Sequence, residues 1–147
     1  MKVAFFLTPK AQVAWVPITC TVRQAIERME NHSYTAVPVL TAEGGYDSTL
    51  TEGDLLWFMK QHPHLSFEDS ERVPLTAVTR RMILKPIDID AEIEALLALA
   101  IDQNFVPVVD GRGAFIGIVR RRSVLVFYRE RMAATLHTDG SAPRPPG

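Results

Sequence analysis

Two short stretches carry side chains suited to holding a phosphate or a sugar: "TEGD" (Thr51–Asp54) and "RRRS" (Arg120–Ser123). In the first, a threonine stands three residues ahead of a carboxylate, where a β-like run gives way to a helical one. That spacing is a capping box, in which Thr51 accepts from the N–H of residue 54 and the acid favours the positive helix end. The same helix start offers free N–H donors to a phosphate, and a carboxylate one turn in can accept from both hydroxyls of a ribose. Both readings fit the residues. In the second stretch, arginine is a poor N-cap, and losing a threonine cap costs about 1 kcal/mol. Three cations at the positive helix end are also unfavourable. An anion gripped by guanidinium forks offsets this. The alternative is a solvated Arg121–Arg122 pair, with Ser123 capping a helix that starts one turn later and Arg120 paired to an acid.

Other chemistries find less support. His62 and His64 flank Pro63 with no Cys or carboxylate cluster at ligand spacing, and no metal site is expected. Asp88, Asp90, Glu92 and Glu94 read as the acidic start of a helix. There is no nucleophile motif, no glycine-rich dinucleotide loop and no P-loop, so no enzyme and no catalytic cofactor are expected. A net charge of −1 without a basic stripe argues against nucleic acid as a partner. The apolar run Val3–Leu7 spans five residues, short of the roughly 7–15 of an export signal. No run reaches the roughly 18–20 apolar residues of a membrane span. One cysteine, Cys20, leaves no internal disulfide, and a cytoplasmic location is expected.

The elements that position the two stretches repeat. At an offset of 69 residues Pro38 of "YTAVPVL" falls on Pro107 of "QNFVPVV", Gly44 on Gly113, Tyr46 on Phe115, Thr51 on Arg120 and Asp54 on Ser123. Such a repeat fixes the architecture. Each unit reads as a short strand (Val13–Val16; Met82–Leu84), a link with a proline, and a helix opened by Thr21 or Asp90. A buried strand, a glycine turn, a second strand ending at Leu50 or Val119 and a last helix (Glu52–Lys60; Arg122–Met132) follow. The order is β-α-β-β-α, twice. One unit of this size buries too little surface to be secure alone, so two pseudo-symmetric copies are expected to pack into one α/β module. The expected divisions are residues 1–70 for the first repeat with its N-terminal segment and connector, 71–132 for the second, and 133–147 for a disordered tail rich in proline and glycine.

The pattern of hydrophobic-Pro-Val, turn, strand, Thr-x-x-Asp and helix, repeated in tandem, resembles a cystathionine-β-synthase (CBS) domain pair, or Bateman module, over residues 8–132. "FFLTPK", "YTAVPV", "TEGDLLWF" and "QNFVPVV" resemble the small stand-alone bacterial type. That type usually carries Gly at Ser48, Thr at Arg120 and Asp at Ser123, and this chain departs at all three. The resemblance implies a non-enzymatic sensor that binds an adenine nucleotide (AMP, ADP or ATP) as a regulatory ligand, forms a homodimer and signals to a protein effector. A cyclic dinucleotide, c-di-AMP, is implied as an alternative by the matching Arg121-Arg122, and a ligand-free dimerisation scaffold is the competing class. Two pockets are implied across the pseudo-twofold. One combines Ala14, Ile18, Tyr34, Thr35 and Ala36 with Arg120, Arg121, Arg122 and Ser123. The other combines Met82, Ile87, Asn104, Phe105 and Val106 with Thr49, Thr51 and Asp54. Tyr34 and Phe105 either lie against a base or serve as strand-edge core aromatics. Loss of the second-repeat aspartate disfavours ribose binding in the first pocket.

Overall fold

A computed structural model describes residues 1–138. Each Val-Pro-Val run forms the middle strand of a small sheet. In the first repeat β2 (Val16–Pro17) lies parallel to β3 (Ala36–Leu40), which pairs antiparallel with β4 (Tyr46–Thr51). In the second, β5 (Ile87–Asp88) lies parallel to β6 (Phe105–Val109), which pairs antiparallel with β7 (Phe115–Arg120). Proline in an inner strand normally breaks a ladder. Here the parallel partner joins only at Val39 and Val108, so Pro38 and Pro107 stand outside that ladder.

Helices α1 (Val22–His32) and α2 (Glu52–Gln61) belong to the first repeat, and α3 (Ile93–Ala100) and α4 (Arg121–Thr138) to the second. Thr21 caps α1 in a full capping box with Gln24, and Thr51 caps α2 in one with Asp54. Asp90 does not cap α3. Its backbone N–H is held by Asp88 Oδ1, and the N–H of Ile93 donates instead to the carbonyl of Met1 at 2.9 Å. The first strands also differ from expectation. Lys10–Gln12 forms a 3-10 turn, so pairing starts at Val16 rather than Val13. Residues 82–84 form a bend and an irregular stretch outside any ladder, and the flanking backbone is held by side chains. Lys85 donates to and accepts from the Gln103 amide, and the N–H of Arg81 donates to Asp54 Oδ1. Helix α4 continues past Met132 to Thr138, as Ala133 and Ala134 favour helix and no glycine intervenes before Gly140. The remainder of the expected tail lies outside the described residues.

The chain crosses between repeats at both ends. The N-terminal segment, expected with the first repeat, packs on the second: Val3 and Phe6 join the core of Ile93, Leu96, Val106 and Val119. Strand β1 (Thr8–Pro9) pairs antiparallel with β7. A Cβ on Gly117 would lie 2.1 Å from the Thr8 carbonyl oxygen, so only glycine lets β1 approach there. Conversely, Leu75 and Val78, expected with the second repeat, complete the first repeat's core. A third cluster of Val13, Leu40, Phe115 and Ile118 joins the repeats. Its centre is the bridge between Gly45 and Ala114 and the stacked rings of Tyr46 and Phe115, two pairs of residues that are each other's equivalents at the 69-residue offset. The pseudo-twofold axis therefore passes between them.

Candidate functional site

Two equivalent junctions face each other across that axis. At each, the first N–H of a helix donates to a carbonyl at the start of the opposite strand: Glu52 to Thr35 at 3.0 Å and Arg121 to Asn104 at 2.9 Å. The junctions then diverge.

At the second-repeat junction a cleft of about 270 Å³ opens between the repeats. Ser33, in the left-handed conformation, ends α1 and turns the chain so that Tyr34, Thr35 and Ala36 form one wall. Val13 and Ala14 form the apolar floor with Pro38 and Ile118. Asn104 and Phe105 face them, and Arg120 and Arg122 stand at the rim. Both guanidiniums are exposed and form no ion pair among the described residues; Arg120 reaches the Tyr34 hydroxyl at 3.4 Å. An apolar slot ending in two unneutralised forks at a helix start suits a flat ring carrying phosphate.

Of the residues expected here, Ala14, Tyr34, Thr35, Ala36, Arg120 and Arg122 line the cleft. Ile18 packs on the first repeat's core, and Ser123 lies exposed on α4. Arg121 is half-buried and turned away: its Nε donates to the carbonyls of Ala100 at 2.7 Å and Gln103 at 3.1 Å, and Nη2 to Ile101 at 3.3 Å. It caps the C-terminus of α3, where a cation meets the negative end of the helix.

The residues expected for the other pocket are not gathered around one cleft, and the hollow beside Asp54 is lined instead by Trp57, Phe58, Gln61, Thr79 and Arg81. Asn104 and Phe105 line the first cleft, Ile87 and Val106 are buried in the second repeat's core, and Met82 is exposed. Thr51 and Asp54 bond each other, and the remaining oxygen of the buried Asp54 accepts from Arg81 N–H at 2.9 Å. The Tyr46 hydroxyl sits 2.7 Å from Thr49 Oγ1 and donates to the Leu84 carbonyl at 2.9 Å. Burial pushes the Tyr46 phenol up to about 12. The segment of residues 81–84 is thus latched onto the groups a ligand would need. Sequence reasoning missed Val13, Pro38 and Ile118 in the open cleft and Tyr46 in the closed one. Pro38 and Ile118 lie two residues along β3 and β7 from the named Ala36 and Arg120, the spacing at which strand side chains share a face, whereas the reach of Tyr46 across the repeats leaves no sequence signal. Among the described residues no group of three or more His, Cys, Asp and Glu side chains could hold a metal ion.

Residues 7–61 match the family model for the CBS domain. No curated protein matches the chain. Among solved structures, CbpB in complex with c-di-AMP is similar at a TM-score of 0.81 and 21% identity, covering 94% of this chain and 91% of that one. CBSX2 in complex with AMP is similar at 0.66 and 24%, covering 89% and 98%. A CBS domain protein from Streptococcus pneumoniae TIGR4 is similar at 0.75, covering 90% and 87%, and is 30% identical. That last likeness is one of sequence as well as shape over nearly the whole of both chains, and it makes this chain a member of the CBS-domain proteins.

Proposed function

We propose that the chain is a non-enzymatic regulatory module that binds one adenine nucleotide (AMP, ADP or ATP) in the open cleft. In this reading it works in the cytoplasm as a homodimer and reports to a separate protein effector. The observation that carries the reading is the meeting of an apolar slot with two guanidiniums, Arg120 and Arg122, that form no ion pair among the described residues, at one mouth. The base lies along Tyr34, Thr35 and Ala36, and the phosphates meet the arginines and the start of α4. A ligand shifts such a module only through differing affinity for two of its states.

A cyclic dinucleotide is the second reading. It is supported by a cleft with no carboxylate to hold a ribose, by the cationic rim, and by the likeness to CbpB in its complex with c-di-AMP.

Thermal unfolding of the full chain with AMP, ADP, ATP and c-di-AMP tests both. A ligand at 100-fold its Kd adds about 2.7 kcal/mol of stability. No shift with any of them at millimolar concentration overturns the sensor reading in favour of a ligand-free scaffold, and turnover of a bound nucleotide overturns the non-enzymatic one. Calorimetry on Arg120→Ala/Arg122→Ala is expected to show affinity reduced by about tenfold or more. Asp54→Asn leaves it unchanged, since that carboxylate is already spent within the chain. The reverse pattern overturns the choice of cleft.

A further inference from the structure

The segment of residues 81–85 is clamped at both ends and holds two apolar side chains out in solvent between the clamps. Asp54, 2% exposed, accepts from the N–H of Arg81 at 2.9 Å. The half-buried Tyr46 hydroxyl donates to the Leu84 carbonyl at 2.9 Å. Gln103, 6% exposed, accepts from the N–H of Lys85 at 2.9 Å and donates to the carbonyl of the same residue at 3.2 Å. Between these anchors Met82 and Ile83 are 53% and 86% exposed. Single exposed apolar side chains are ordinary. Here side chains from both repeats fix the backbone that presents an adjacent pair, so little ordering entropy is lost when a partner covers it.

The pair sits next to an aromatic ring carrying two cations. Trp57 on α2 is partly exposed, with the Arg81 guanidinium 5.1 Å from its ring centroid and the Lys60 ammonium at 5.4 Å. Neither cation forms an ion pair among the described residues. Trp57 and Arg81 also line the hollow beside Asp54, of about 230 Å³, and that carboxylate has both oxygens already engaged within the chain. Tryptophan, arginine and methionine are the side chains enriched where proteins meet, and a pocket beside an apolar anchor is the usual form of a hot spot.

We infer that this surface docks the protein effector, through an acidic segment that carries an apolar anchor. Carboxylates of that segment pair with Lys60 and Arg81, and its anchor packs on Met82, Ile83 and the indole. Charge complementarity of this kind also sets the register of the encounter. Two cations are too few for a lipid surface, which takes clusters of about four to eight. The inference rests on the effector part of the proposed function and not on its ligand.

Panning a phage-displayed library of random dodecapeptides against the full chain tests it. Enriched clones are expected to join Asp or Glu to Leu, Ile, Phe or Trp. Their synthetic peptides are expected to bind Ile83→Asp about tenfold or more weakly than the wild type. Lys60→Glu/Arg81→Glu is expected to enrich basic peptides instead, an inversion that a misfolded chain cannot produce. All three positions are exposed, and Arg81 keeps its bond to Asp54 through the backbone. Enriched clones insensitive to both variants overturn this surface and leave the effector reading standing, whereas a library that enriches on no surface overturns both. A smaller assembly for Ile83→Asp in sedimentation equilibrium assigns the surface to a second copy. Co-sedimentation with phosphatidylserine vesicles that Ile83→Asp abolishes assigns it to a lipid surface. Either result overturns the acidic segment.

Discussion

Adjacent arginines in this chain do different work. Arg121 binds three carbonyls at the end of α3, and Arg122 stands exposed at the cleft rim with no ion pair among the described residues. Arg121→Ala is expected to lower stability by about 1–3 kcal/mol, as a half-buried charged donor set is lost, with nucleotide affinity little changed. Arg122→Ala is expected to do the opposite; urea melts and calorimetry on the two variants separate these roles. The sequence made the cationic run legible but not this division, which depends on the helical rotation of each side chain and on where α3 ends. Tyr46 offers a second test. Its phenol titrates near 12 in the folded chain and near 10 when unfolded, so the folded state holds the proton more tightly. The resulting stabilisation is fully present below about pH 10 and is lost as the pH rises towards about 12. Urea melts across that range are expected to fall for the wild type and to lack this component in Tyr46→Phe. Below pH 10 the variant is expected to be weaker by about 0.5–1.5 kcal/mol for the missing hydrogen bonds.

Elements were legible where their signals are local. Thr21 and Thr51 announce α1 and α2 because the cap and its partner lie three residues apart. The Val-Pro-Val strands are legible as apolar runs between turns. Asp90 misled because the first N–H of α3, that of Ile93, meets the Met1 carbonyl, some ninety residues away in sequence. Strand β5 was displaced for a similar reason, since Asp54 and Gln103 hold the backbone of Arg81 and Lys85, whereas β2 was displaced by the local 3-10 turn Lys10–Gln12. At this scale the sharpest prediction concerns Gly117. Its added methyl in Gly117→Ala collides with the Thr8 backbone, so β1 must shift from β7. A loss of about 1–3 kcal/mol is expected, with hydrogen exchange faster at β1 and β7 than at β3 and β4. Uniformly faster exchange across both sheets would refute that account. The equivalent position in the first repeat, Ser48, receives no such strand and tolerates a side chain.

For the whole molecule, the 69-residue repeat disclosed the architecture because two interfaces made of equivalent residues must meet at an axis. It did not disclose that the copies trade segments. Val3 and Phe6 fill the second core, and Leu75 and Val78 fill the first. Removing residues 1–9 is therefore expected to destabilise the second repeat, although the cut lies beside the first. Loss of two buried apolar side chains implies several kcal/mol, at about 2–5 kcal/mol for each large core truncation. Hydrogen exchange of the shortened chain, compared at β6 and β7 against β3 and β4, reads which repeat loosens first. The trade also has a consequence for synthesis. Thr8 pairs with Ile118, 110 residues later in the chain. At roughly 5–20 residues per second, β1 leaves the ribosome many seconds before its partner exists. Strand β1, made before β2–β7, is thus among the last of the seven to find its place, and during that interval the nascent chain carries an unpaired edge that a chaperone, or another copy, can reach.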